Sequence, residues 1–91
     1  MKKTILLKFN RDTSIVAMED REWNTLFLRT SLMSMQDLLK SRGYIYLNEI
    51  YAILGIAWDP KQDNNCYTQD DANPVEFSIL FGTELTVLIE S

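Results

Sequence analysis

An apolar pattern with the period of an α-helix, in the middle of the chain, constrains the fold more than any other feature of the sequence. Its members are Leu28, Leu32, Met35 and Leu39. Spacings of three and four residues place these side chains on one side of a helix. Lys40 and Arg42 close the segment, as the helix dipole favours, and Gly43 stands where a left-handed cap is expected. The sequence therefore predicts a long helix from Glu19 to Gly43.

Other apolar residues of this segment lie beside that face and widen it. They are Trp23, Leu26, Phe27 and Met33. A broad apolar stripe predicts burial against more than one neighbouring element. Ser31 and Ser34 leave open a break into two shorter helices.

A second, shorter helix is predicted over residues 46–54. Its apolar residues recur at helical spacing and are Leu47, Ile50, Tyr51 and Leu54. Gly55 follows where a cap is needed. Asn48 is the candidate N-cap, with Tyr46 or Leu47 as alternative first residues of the helix.

Three segments are rich in residues that favour β-strands. They are residues 4–9, 75–79 and 85–90, and the last two predict a C-terminal hairpin around Gly82. Residues 14–18 either return as a strand beside residues 4–9 or lead into the long helix. Because 91 residues are too few for two independent cores, we expect a single domain over residues 1–91. The order β-α-α-loop-β-β predicts an α+β fold, with two helices packed on one face of a mainly antiparallel sheet.

A polar segment, residues 59–74, separates the second helix from the hairpin. It is bracketed by Pro60 and Pro74 and is longer than the usual connection of about 4 to 6 residues, and long loops are often functional. Aromatic and acidic side chains in or beside it are the candidate partner-binding residues. They are Trp58, Asp59, Asp63, Tyr67, Asp70, Asp71 and Glu76.

Charge is divided unevenly along the chain. Residues 1–45 hold eight Lys and Arg against five Asp and Glu, whereas residues 46–91 hold one against eight. Such asymmetry is typical of a partner surface, and the alternative is a folded surface that mixes both signs for solubility. Direct nucleic-acid binding is not expected, because the sequence pI is 4.6 and only a few basic residues cluster. They are Lys2, Lys3, Lys8 and Arg11.

The residues that most enzymes need are scarce. The chain has no histidine, which removes the commonest general base and metal ligand, and its one cysteine, Cys66, lies in an acidic stretch that disfavours the thiolate. The three glycines are scattered, so no phosphate-binding loop is present. The polar segment, residues 59–74, resembles a calcium-binding loop but lacks the glycine and the final glutamate that such a loop has. We expect no cofactor, no metal and no enzymatic activity.

No run of residues is long and apolar enough to span a membrane, and the N-terminus, with Lys2 and Lys3, lacks a signal-peptide cleavage site. A single cysteine suits a reducing compartment. The sequence therefore predicts a cytoplasmic protein of a bacterial host, with homodimerisation left open.

The segment Leu47-Asn48-Glu49-Ile50-Tyr51-Ala52-Ile53-Leu54-Gly55, preceded by a helix that ends at Gly43, carries a family resemblance. It resembles a Leu-Asn-x-x-Tyr-x-x-Leu-Gly pattern of small uncharacterised proteins of phages and mobile elements in Gram-positive bacteria. The whole match runs over residues 38–56 and covers about a fifth of the chain. The resemblance implies a mobile-element origin and no particular activity.

These observations favour a non-catalytic accessory protein that binds another macromolecule, with a protein as the expected partner, through its acidic loop. A first alternative is a phage inhibitor of a host nucleic-acid enzyme, of the anti-CRISPR or anti-restriction type, that acts by charge mimicry. A second is a small hydrolase that uses Asp70, Asp71 and Glu76.

Overall fold

The structure, a computed structural model, describes residues 4–91. Lys2 and Lys3, which the sequence groups with Lys8 and Arg11, lie outside the described residues. The elements follow in the order β1 (Thr4–Phe9), α1 (Arg21–Arg42), β2 (Tyr44–Tyr46), α2 (Leu47–Leu54), a 3-10 turn (Pro60–Gln62), β3 (Cys66–Thr68), β4 (Glu76–Phe81) and β5 (Leu85–Glu90). The α+β fold class is confirmed.

The main sheet has three antiparallel strands in the order β1-β5-β4. The C-terminal hairpin is confirmed, since Glu76 pairs with Glu90 and Phe81 with Leu85. β1 pairs with the other side of β5, from Thr4 opposite Glu90 to Phe9 opposite Leu85. The last strand is therefore the centre of the sheet.

Helix α1 is one uninterrupted helix, with no break at Ser31 or Ser34. Asp20 is its N-cap, and the Asp20 carboxylate accepts hydrogen bonds from the backbone N–H groups of Glu22 and Trp23. Gly43 ends it in the left-handed conformation, as the sequence predicts. The expected width of its apolar stripe is wrong: Leu26 and Met33 are exposed, and Trp23 is half-exposed while its ring stacks on Phe27.

Two short strands replace part of what the sequence predicts as helix and loop. Tyr44–Tyr46 pairs antiparallel with Cys66–Thr68 to form a two-stranded ribbon. Helix α2 consequently begins at Leu47 with Tyr46 as its N-cap, and the candidate cap Asn48 lies inside the helix. The element order is thus β-α-β-α-β-β-β, and residues 59–74 are only partly a loop.

The segment between β1 and α1 forms no hairpin strand. It contributes a single bridge, between Ser14 and Ile56, and the buried Ser14 hydroxyl donates to the carbonyl oxygen of Leu54. Ser14 and Ile15 instead fasten this segment to the end of α2 before α1 begins, since the Ile15 N–H also donates to the Gly55 carbonyl oxygen.

The core lies between one face of the main sheet and both helices. Its buried apolar residues include Phe9, Leu28, Met35, Ile45, Ile50, Tyr67, Phe77, Val87 and Ile89. The opposite face of the sheet is exposed. No helix among the described residues is both long and apolar enough to cross a membrane.

Candidate functional site

The acidic segment, residues 59–76, is fastened to the body of the protein at two places. At one, the Asn48 side chain on α2 donates to the Asp59 carbonyl oxygen at 3.0 Å and to an Asp63 carboxylate oxygen at 2.8 Å, and its own oxygen accepts from the Asp59 N–H at 3.1 Å. At the other, β3 pairs with β2, and the Gln69 N–H donates to the Gly43 carbonyl oxygen. Residues 59–69 are therefore joined to the body of the protein at both ends.

The carboxylates of this segment fall into three groups. Asp59 and Asp63 lie beside the first turn of α2, where Asn48 contacts both. Asp59 also caps the 3-10 turn. Asp70 and Asp71 line a surface depression of about 210 Å³ beside the last turns of α1. Glu76 begins β4 and lines a separate depression of about 150 Å³ together with Glu90. The acidic half of the sequence is thus spread over several places.

These carboxylates make no ion pair among residues 4–91. The three ion pairs of the described chain join Lys8 to Glu84, Arg11 to Glu19 and Arg42 to Glu49. Asp63, Asp70, Asp71 and Glu76 are exposed, and Asp59 is partly buried. Their charge is therefore presented to solvent within this part of the chain.

The two aromatic candidates differ in their surroundings. Trp58 is 61% exposed, so its indole is accessible to a partner. Tyr67 is only 8% exposed, and its ring belongs to the core. Tyr67 stays a prediction as an interface residue, and it offers a partner little surface, because β3 turns every second side chain inward and Tyr67 is the central residue of that strand. Burial also raises the pKa of its hydroxyl.

Sequence reasoning did not select a cluster on the outer side of the ribbon. The Arg42 guanidinium donates to a Glu49 carboxylate oxygen at 2.7 Å and lies 4.4 Å from the centre of the Tyr44 ring. The same carboxylate oxygen accepts from the Tyr46 N–H at 3.0 Å, and the Tyr44 and Tyr46 rings meet edge to face. The hydrogen bond from Arg42 is the main reason why the pKa of Glu49 is lowered. The alternation of Tyr44, Ile45 and Tyr46 directly after a helix cap is the sequence signal for this strand.

The three carboxylates of the hydrolase alternative, Asp70, Asp71 and Glu76, do not share one depression. Asp70 and Asp71 line a different depression from Glu76, and both depressions are open surface features. No group of three or more metal-ligating side chains converges within residues 4–91. Cys66 is exposed on β3 opposite Tyr46.

Comparison of the chain with protein-family models, curated proteins and solved structures gives no match. What the fold and the site define is a small α+β domain with an anchored acidic segment.

Proposed function

We propose that this protein is a non-catalytic accessory protein that binds a basic surface of another protein through its acidic segment. The observation that supports this most is the combination of anchoring and exposed charge. Asp63, Asp70 and Asp71 carry no ion pair within residues 4–91, yet the chain around them is fixed by Asn48 and by the ribbon.

Anchoring matters because binding costs less when the binding segment is already ordered. A flexible loop loses conformational freedom when it binds, whereas a segment held in place has lost most of that freedom on folding. Exposed carboxylates then attract a basic partner from a distance and raise the association rate, which falls as salt rises. Trp58, directly before the segment, adds an aromatic side chain of the kind that contributes most to protein interfaces.

The test compares two variants with the same net charge. Asp63→Asn/Asp70→Asn/Asp71→Asn removes three carboxylates from the acidic segment, and the Asn oxygens can still accept the hydrogen bonds that Asn48 and Ala72 donate there. Asp12→Asn/Glu22→Gln/Asp37→Asn removes three exposed carboxylates elsewhere. Quantitative affinity capture from bacterial lysate should recover a partner with wild type and with the second variant, and lose it with the first.

The salt dependence of the same capture gives a second readout. Recovery should fall steeply between about 0.05 M and about 0.5 M NaCl, because exposed charges are screened over that range. Equal recovery by both variants would contradict the proposal.

A captured nucleic-acid enzyme whose recovery is competed by duplex DNA would identify the charge-mimicking inhibitor as the form that the function takes. Location in a bacterial cytoplasm and a mobile-element origin belong to this proposal as well.

A further inference from the structure

The main sheet has an outer face that both helices leave uncovered. Side chains alternate between the faces of a sheet, and directly paired residues share a face. The outer face is formed by nine residues in three rows, namely Thr4-Glu90-Glu76, Leu6-Leu88-Ser78 and Lys8-Thr86-Leu80.

The centre of this outer face is apolar. Leu6 is 58% exposed and pairs directly with Leu88 on the central strand. Leu80 is 44% exposed and lies diagonally across from Leu88, because its direct partner is Thr86. Leucines at such positions are near enough to form one patch, and an open sheet face of this kind gains stability when it is buried.

The two ends of the outer face carry opposite charge. Glu76 and Glu90 are paired directly across neighbouring strands at one end, and like charges in that position destabilise a sheet. Neither carboxylate has an ion pair among residues 4–91. Lys8 stands at the other end, where its ammonium group is 3.9 Å from Glu84 and largely exposed. A second copy turned end for end therefore offers a cation to the paired glutamates and receives the same contact in return.

We propose that two copies of this chain associate through the outer faces of their main sheets, with the Lys8 end of each face against the Glu76 and Glu90 end of the other. A two-fold axis in the plane of contact and perpendicular to the strands produces this arrangement. It places β1 over β1 of the second copy and brings Leu88 of both copies close to the axis. Strands lie about 4.8 Å apart, which a lysine side chain spans to reach Glu90 of the second copy.

The size of the face sets the expected strength. Three strands of six residues cover about 200 to 300 Å² in projection, against roughly 800 Å² per partner in a standard interface. The dimer is consequently weak and populated at roughly 0.1 mM and above, and salt weakens it. Glu76 belongs both to this face and to the acidic segment, but Asp63, Asp70 and Asp71 lie outside the face, so the Asp63→Asn/Asp70→Asn/Asp71→Asn variant tests the proposed function without changing the dimer contacts.

Sedimentation equilibrium of the wild-type chain from about 10 μM to about 1 mM, at low and high salt, tests the proposal directly. A monomer at every concentration would overturn it. Lys8→Glu should raise the dimer dissociation constant about tenfold or more, because it places like charges together at both contacts between the copies. Arg29→Glu makes the same charge change on the exposed side of α1 and should leave the constant unchanged.

Mixing two variants supplies the decisive comparison. Lys8→Glu alone and Glu76→Lys/Glu90→Lys alone should each be monomeric where the wild type dimerises, since each places like charges at both contacts. An equimolar mixture restores opposite charges at both contacts and should recover the dimer. Failure of the mixture to associate, with both variants folded by circular dichroism, would refute this face as the interface. Should a variant not fold, Ser78→Arg, which adds bulk at the exposed middle of β4, replaces it and must abolish the dimer.

Discussion

Gly43 and Gly55 end the two helices with similar backbone angles but in different surroundings. Both have positive φ, at 84° and 72°, a conformation that costs residues with a Cβ about 1 to 2 kcal/mol. A Cβ at Gly43 would meet no atom within 4 Å, whereas one at Gly55 would lie 2.8 Å from the Ser14 hydroxyl oxygen and 2.8 Å from a Val16 methyl group. The second glycine therefore also serves the packing of the segment before α1.

Substitution of each glycine by alanine should separate these two effects. Gly43→Ala carries only the backbone strain and should lower the free energy of unfolding by about 1 kcal/mol. Gly55→Ala adds the clash with Ser14 and Val16 and should cost about 2 to 4 kcal/mol in total. Urea unfolding followed by circular dichroism measures both, and equal losses would show that Gly55 has no packing role.

The Arg42–Glu49 pair makes stability depend on pH in the acid range. The Arg42 hydrogen bond lowers the pKa of Glu49, so the folded chain holds the Glu49 proton less tightly than the unfolded chain does. Stability from this group is complete above the unfolded-state pKa and is lost as the pH falls through the lower, folded-state pKa. The Glu49→Gln variant should therefore lose less stability than the wild type between about pH 5 and about pH 3.

Thermal unfolding at several pH values checks this dependence. Glu22→Gln is the matched control, because it keeps Glu49 and its contact with Arg42 and should retain the acid-dependent loss. If Glu49→Gln followed the wild-type pH curve throughout this range, the ion pair would not be the source of the effect.

At the scale of elements, patterns within short stretches of the sequence predicted the helices and the longer strands. The 3.6-residue period and the two glycine caps gave α1 and the end of α2, and the β-favouring runs gave β1 and the hairpin. The ribbon was missed because Tyr44–Tyr46 and Cys66–Thr68 are three residues each and are joined by a pairing between distant parts of the chain. The burial of Tyr67 could not be predicted for the same reason, since only that pairing shows which side chains of β3 point inward.

Asn48 illustrates how a residue that fits a helix cap can have another role. Its side chain makes three hydrogen bonds to Asp59 and Asp63 and holds the start of the acidic segment on α2. Asn48→Ala should cost about 1 to 3 kcal/mol and release that start while α2 remains helical. Hydrogen exchange should then speed up at the Asp59 N–H and stay slow at the Gln69 N–H, which bonds to Gly43. Unchanged exchange at Asp59 would contradict this role.

At the scale of the whole molecule, the fold brings the two ends of the described chain into one sheet. β5 lies between β1 and β4, so the main sheet closes only when the last strand is in place. This topology brings charges of the two halves into one sheet, because Lys8 on β1 from the first half shares the sheet with Glu76 on β4 and Glu90 on β5 from the second. What the sequence could not indicate is which face of the sheet the helices cover, since Leu6, Leu80 and Leu88 are as apolar as the residues of the core.

Neighbouring residues of β5 test that distinction between the faces. Ile89 is fully buried between Ile5 and Phe77, whereas Leu88 points to the outer face. Ile89→Ala should cost about 2 to 5 kcal/mol, a large part of the stability of a domain this small, and should leave it partly unfolded near 37 °C. Leu88→Ala should cost about 1 kcal/mol at protein concentrations too low for dimerisation. Denaturant unfolding monitored by both tryptophan fluorescence and far-ultraviolet circular dichroism measures the difference, and coincident curves are expected because one core joins every element. Equal losses for the two variants would mean that the outer face is covered in the monomer.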